Sequence, residues 1–295
     1  MRLLTSDRET YSVPSYRFEF EPHELDAIHS CNAEHGFAIV KRVIGPEIIS
    51  DLKESIRQTL NPKGDLARGE TRLDTHFIEI SRPLLRLLEH DGFMTIQHRL
   101  LGTTKLTVHR SAAILKNAGT GVGAWHTDQS LSTAPPVDAN DRLNRGNWPN
   151  GMWFYLEGTH PTRGGLAVIE ASHRADWPGP EGFDFTDKNR KSFHRRGTPP
   201  LAYGAMDVPG IVPFITDPGD LIIFADRTYH GVFPHNGTEA RNSVGFILRP
   251  TDPPFPVPWK LSDETLRSLE SVPDHLKRYF DGYTGLDRSW RGSGN

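Results

Sequence analysis

An imidazole and a carboxylate lie two residues apart in Trp125-His126-Thr127-Asp128. On an extended strand, residues i and i+2 face the same side. His126 and Asp128 could therefore grip one metal ion. They would supply two of the three groups in the facial arrangement that holds non-haem Fe(II) and leaves coordination positions open. An H-x-D tripeptide is weak evidence in a chain with 14 histidines. The case depends on a third ligand and on an anchor for an anion. His230 is the candidate third ligand, because it follows Asp217-Pro218-Gly219-Asp220-Leu221-Ile222-Ile223-Phe224, a turn feeding an apolar strand. Further on, Arg241 opens the apolar strand Val244-Gly245-Phe246-Ile247-Leu248. A guanidinium pointing into a barrel needs an anion, and it makes two parallel bonds to a carboxylate. Ser243, on the same strand face, can add a hydroxyl.

These residues need strands to carry them. The 295-residue chain holds 27 glycines and 23 prolines, which favours a turn-rich β architecture over a helix bundle. The first 20 residues read as an irregular arm. Helices are expected over 21–36, from Gly45-Pro46 to Leu60, and over 83–101 with a break at Asp91-Gly92. A short strand is expected at Phe37-Ala38-Ile39-Val40 and a polar loop over 61–75. From Lys105 to Pro250 the pattern becomes short strands between Gly/Pro-rich turns: 106–116, 125–129, 152–156, 166–170, 210–216, 220–224, 230–233 and 243–248. Helices followed by strands give an α+β chain with a sandwich or jelly-roll core. We read one domain: a helical part over 1–104, the core over 105–250 and a helical extension over 251–295. In the extension, Ser262 caps a helix running to Tyr279.

Two insertions, 131–150 and 174–209, are expected to cover the mouth of the site. They carry Trp148, Trp177, Phe183, Phe185, Phe193 and Tyr203, with Arg142, Arg145, Arg195 and Arg196. A formal charge of −3 offers no basic footprint for nucleic acid. The single cysteine, Cys31, excludes a disulfide framework and suits a reducing compartment. The N-terminus lacks the apolar centre of a secretory signal, and no apolar run reaches membrane-spanning length. A cytoplasmic protein acting on a small molecule, with no membrane or nucleic-acid partner, is the expectation.

Taken together, H-T-D at 126–128, G-D-L-I-I-F with Y-H-G around His230, and R-N-S at 241–243 resemble the Fe(II)/2-oxoglutarate oxygenases of the phytanoyl-CoA dioxygenase type. The run from Gly164 to His173 is similar to that family's strand and turn. It departs at Arg163, where Asn is usual, and at Glu170-Ala171, where Pro-Gly is usual. The resemblance covers about 105–250 and implies a double-stranded β-helix core. It further implies that His126, Asp128 and His230 hold Fe(II), and that Arg241 and Ser243 hold the distal carboxylate of 2-oxoglutarate. Trp153 falls where the family often places a tryptophan near this cosubstrate. Thr127 lies between the ligands and could touch it, although its side chain is expected on the other face. Arg110, in Val108-His109-Arg110-Ser111, resembles the ectoine hydroxylase branch, where this strand turns a polar group toward cosubstrate or substrate. Lys116 and His173 read as structural. With O2 as second cosubstrate, the implied products are succinate, CO2 and an oxidised small molecule. Related halogenases lack the carboxylate ligand, so Asp128 points to hydroxylation over halogenation, with desaturation, epoxidation and ring formation left open. Two other classes stay open. One is a metal hydrolase on a cupin-like barrel, which leaves Arg241 and Ser243 unexplained. The other is a non-catalytic binding barrel, in which a ligand would commonly have been lost.

Overall fold

The computed structural model describes residues 2–4, 10–12, 14–129, 150–257 and 259–288. Strands β1 (Arg2–Leu4) and β2 (Thr10–Ser12) pair as a hairpin within the arm expected to be irregular. After β3 (Glu19–Phe20), helix α1 (Leu25–His35) ends at Gly36, whose φ of 85° suits a residue without a side chain. Strand β4 (Phe37–Val40) is buried throughout. Helix α2 (Pro46–Leu60) starts with Pro46 in its first turn and buries the stripe Ile49, Leu52, Ile56 and Leu60.

The polar segment 61–75, expected as loop, contains β5 (Thr71–Asp74). Its Thr-Arg-Leu-Asp sequence has no apolar alternation, and it is a strand because it pairs with the edge of a sheet. Short α3 (Arg82–Leu85) and then α4 (Asp91–Leu101) follow; the break expected at Asp91-Gly92 falls one residue earlier, at His90, which caps α4.

The core strands are β6 (Leu106–Lys116), β7 (Gly123–His126), β8 (Asn150–Tyr155), β9 (Leu166–Ile169), β10 (Phe183–Phe185), β11 (Phe193–Arg195), β12 (Ile211–Pro213), β13 (Leu221–Ala225), β14 (His230–Val232) and β15 (Arg241–Pro250). A seven-stranded sheet has the order β3-β4-β13-β8-β15-β6-β5, and a four-stranded sheet the order β12-β9-β14-β7. The chain therefore passes repeatedly between the sheets: β6, β8, β13 and β15 lie in the large one, and β7, β9, β12 and β14 in the small one. This is the expected jelly-roll core, with β3, β4 and β5 from the N-terminal part extending the large sheet.

Three apolar clusters hold the layers together. The largest lies between the large sheet's outer face and the helices, and includes Leu52, Ile56, Phe93, Phe154, Val244 and Tyr283. A second lies between the sheets and includes Phe37, Ile39, Leu166, Val168, Phe214, Ile222 and Phe224. The third lies against the small sheet, where Trp125, Ile169 and Tyr229 meet Phe183, Phe193 and Met206.

That third cluster takes up the aromatics of insertion 174–209. Phe183, Phe193, Trp177, Phe185 and Tyr203 all pack into it, and β10 and β11 form a hairpin. These aromatics support the small sheet because its apolar residues Trp125, Ile169 and Tyr229 need cover. Trp148, Arg142 and Arg145 of the other insertion lie outside the described residues. In the C-terminal extension, Ser262 accepts the Thr265 amide at 3.1 Å and starts α5 (Asp263–Glu270). The expected single helix to Tyr279 is interrupted near Pro273 and resumes as a 3-10 helix over Asp274–Phe280, because proline offers no amide to continue the first helix. No described helix is long and apolar enough to cross a membrane.

Candidate metal centre and anion anchor

His126 ends β7 and His230 begins β14, and the two face each other in the register of the small sheet. Their ring centroids are 4.3 Å apart. Asp128 lies past the end of β7, not within a strand as expected. Its segment is nonetheless held by backbone hydrogen bonds on both sides. The Thr127 amide donates to Lys191 O at 2.8 Å, and the Gln129 amide to Asp226 O at 3.0 Å. One ligand atom each from His126, Asp128 and His230 falls within 4.8 Å of the others.

The imidazoles are oriented for coordination. His126 Nδ1 is 2.8 Å from Ala124 O, and His230 Nδ1 is 3.0 Å from Thr228 O. A carbonyl only accepts, so each Nδ1 carries the proton and each Nε2 keeps its lone pair. Burial and the neighbouring His126 push His230 down to about 4, so it is neutral at neutral pH. Burial opposes the charge of Asp128, but Arg110 and the two imidazoles outweigh it and hold its carboxyl below the usual range.

Arg110 Nη2 stands 3.4 Å from Asp128 Oδ2 and 3.9 Å from Asp226 Oδ2. Asp226 was missed in the sequence. It is buried at the end of β13 and accepts from Gln129 Nε2 at 2.9 Å. Burial, with Asp128 nearby, raises its carboxyl to about 7 despite Arg110. The Thr127 hydroxyl donates to Asp226 O at 2.7 Å and is buried there. Thr127 therefore ties the ligand-bearing segment to β13 and is not among the residues that line the cavity, its side chain lying on the other face as expected.

A cavity of about 260 Å³ opens between the sheets and is lined by His126, Asp128, His230, Arg110, Trp153 and Tyr155 among others. The register of the large sheet orders its inner face. Ala112 lies opposite Gly245, which lies opposite Trp153. A side chain at Gly245 would meet Met152 O at 2.2 Å and Trp153 Cδ2 at 3.0 Å, so this place belongs to glycine. The next row sets Ile114 opposite Ser243 and Ser243 opposite Tyr155, and the next sets Lys116 opposite Arg241.

Arg241 is 4% exposed. Its guanidinium lies 4.6 Å from the centre of the Tyr155 ring and donates to Gly164 O. Arg241 Nε and Ser243 Oγ are buried without a hydrogen-bond partner. Buried polar atoms seldom stay unpaired, because each costs about 1–3 kcal/mol. Two imidazoles and a carboxylate fit a divalent metal, and the orphaned guanidinium and hydroxyl atoms fit a carboxylate guest. Tyr155 went unnoticed in the sequence, although it shares strand and face with Trp153.

The phytanoyl-CoA dioxygenase (PhyH) family profile matches residues 33–243. The chain belongs to this family. Its members are iron- and 2-oxoglutarate-dependent oxygenases, in agreement with the resemblance seen in the motifs. No curated protein matches the chain in sequence. Among solved structures, the chain is similar to the non-heme alpha ketoglutarate dependent epimerase SnoN from nogalamycin biosynthesis. Identity is 18%, the TM-score is 0.54, and the match covers 82% of this chain and 93% of SnoN. It is also similar to HygX from Streptomyces hygroscopicus, with nickel and 2-oxoglutarate bound. There identity is 16%, the TM-score is 0.56, and coverage is 79% of this chain and 88% of HygX. At such identities the likeness establishes the shared fold.

Proposed function

We propose that the protein is an Fe(II)- and 2-oxoglutarate-dependent oxygenase that hydroxylates an unactivated C–H bond of a small molecule. The convergence of His126, Asp128 and His230 on the cavity wall carries this reading. His126 Nε2, His230 Nε2 and an Asp128 oxygen would hold the metal. Arg241 and Ser243 would hold the far carboxylate of 2-oxoglutarate, and Trp153 lines the cavity. When bound, iron and 2-oxoglutarate supply the oxidising chemistry, with succinate and CO2 released. The protein's own part is placement and exclusion of water. Ala124 O and Thr228 O fix the imidazole tautomers, Arg110 steadies the Asp128 carboxylate, and Trp153, Leu166 and Phe224 form dry walls. We read the whole chain as one catalytic unit, since one apolar cluster runs from Phe20 to Tyr283.

The SnoN and HygX structures that hold nogalamycin RO and hygromycin B support a small-molecule substrate. SnoN is an epimerase, so product mass decides the reaction. Hydroxylation adds one oxygen atom derived from O2, whereas epimerisation leaves the mass unchanged.

The site itself can be tested before a substrate is found. Anaerobic addition of Fe(II) and 2-oxoglutarate to the apoprotein should give a weak visible charge-transfer band. Asp128→Ala and His230→Ala should abolish it while the far-UV circular dichroism stays unchanged. Metal binding without a band in the wild type would favour the hydrolase reading.

A further inference from the structure

The cavity has one wall that neither the proposed metal ligands nor the proposed anion anchor uses. β5 is the edge strand of the large sheet, separated from β15 by β6. Leu73 and Thr75, on and just after this strand, line the cavity, and so does Leu286 from the far end of the chain. Leu286 lies beyond residue 243, where the family match ends. Leu73 is 51% exposed, so the cavity meets solvent at this edge. The segment that carries Leu286 belongs to no helix or strand, yet it is pinned along its length. His76 Nε2 donates to Leu286 O at 3.1 Å, and Trp259 Nε1 to Thr284 O at 3.0 Å. The Tyr283 hydroxyl and the Arg288 guanidinium both donate to the buried Glu79 carboxylate, at 2.9 and 2.5 Å. Ordering an irregular segment costs backbone entropy at every residue, and here the result is a fixed apolar side chain at the edge of the cavity.

The chemistry of this wall sets what it can receive. Leu73, Leu286, Ile114 and Ile247 present hydrocarbon to the cavity. Among the described residues, the carboxylate and the guanidinium on the lining are Asp128 and Arg110, which face each other at 3.4 Å. An ionic group brought to the leucines would lose water and gain no partner, whereas a hydrocarbon face would gain by leaving water. We propose that Leu286 and Leu73 are specificity-determining residues. They form an apolar mouth that receives a neutral hydrocarbon part, aliphatic or aromatic, of the small-molecule substrate, and segment 283–288, tied to Glu79, is its fixed rim. The proposal rests on the oxygenase reading above and narrows its substrate class.

The test uses N-phenyl-1-naphthylamine, a neutral fluorophore that brightens in apolar surroundings. It is titrated anaerobically into the whole chain, with and without Fe(II) and 2-oxoglutarate. The proteins compared are the wild type, Leu286→Asp, Leu73→Asp and Leu266→Asp. Leu73 is half exposed, so Leu73→Asp tests the wall even where Leu286→Asp fails to fold. Leu266 is an exposed leucine of α5 that does not line the cavity, and its variant is the control. The wild type should brighten the probe saturably. Loss of a buried leucine contact should weaken the probe about tenfold or more in Leu286→Asp and Leu73→Asp, and Leu266→Asp should match the wild type. Equal affinity in all four proteins, equal weakening in all three variants, or no saturable brightening in the wild type would overturn the proposal. A visible band with Fe(II) and 2-oxoglutarate but no probe binding would remove the apolar mouth alone. Probe binding in the expected pattern without that band would remove the oxygenase reading and leave the mouth standing.

Discussion

At the scale of single residues, the site works through oppositely tuned groups. His230 is held neutral by burial with its folded pKa near 4, against about 6.5 for an unperturbed imidazole. The unfolded chain takes up that proton as pH falls from about 6.5 to 4 and the folded chain does not. Its contribution to stability is therefore full above this window and is lost as pH falls through it. Asp226 runs the other way. Its carboxyl is raised to about 7, so the folded chain keeps a proton that the unfolded chain releases near pH 4. That contribution is full below about pH 4 and is lost as pH rises toward 7. The two effects oppose each other in the metal-free protein. Denaturant unfolding of apo His230→Gln between pH 4 and 7 should show stability declining as pH rises. Asp226→Asn should show it increasing. Parallel profiles for both variants and the wild type would contradict these assignments.

At the scale of elements, the insertion 174–209 serves β7 from beneath. Phe193 is fully buried, with ring centroids 6.1 Å from Trp125 and 5.5 Å from Tyr229, the neighbours of His126 and His230 in the chain. Phe193→Ala should cost about 3–5 kcal/mol in denaturant unfolding, as for other buried phenylalanines. A loosely attached lid would lose almost nothing. Gly245 makes a second point of this kind. Gly245→Ala would drive a methyl group into Met152 O, separating β15 from β8. It should lower the melting temperature and weaken 2-oxoglutarate binding more than Fe(II) binding, because Trp153 lines the cavity while the metal residues lie on the other sheet.

At the scale of the molecule, the proposed metal ligands His126 and His230 lie on the small sheet, and Arg241 and Ser243, the proposed anion anchor, on the large one. A guest reaching from one to the other would link the two sheets and stabilise the folded state by mass action. Fe(II) alone should raise the melting temperature modestly, 2-oxoglutarate alone hardly at all, and both together more than the sum. Strictly additive shifts would mean that the two sites do not share one guest.

The same division explains what the sequence determined by itself. His126, Asp128 and His230 stood out in the sequence by motif and spacing, and the structure brings one ligand atom of each within 4.8 Å of the others. The jelly-roll class was legible because short apolar runs between glycine and proline turns have few other ways to bury themselves. Asp226 took its meaning only from tertiary structure, which brings it to Asp128 through Arg110 across residues far apart in the chain. The polar strand β5 and the packing of insertion 174–209 were decided there too. A strand without apolar alternation, or a loop rich in aromatics, is placed by the surface that needs covering, and that surface exists only once the sheets have formed.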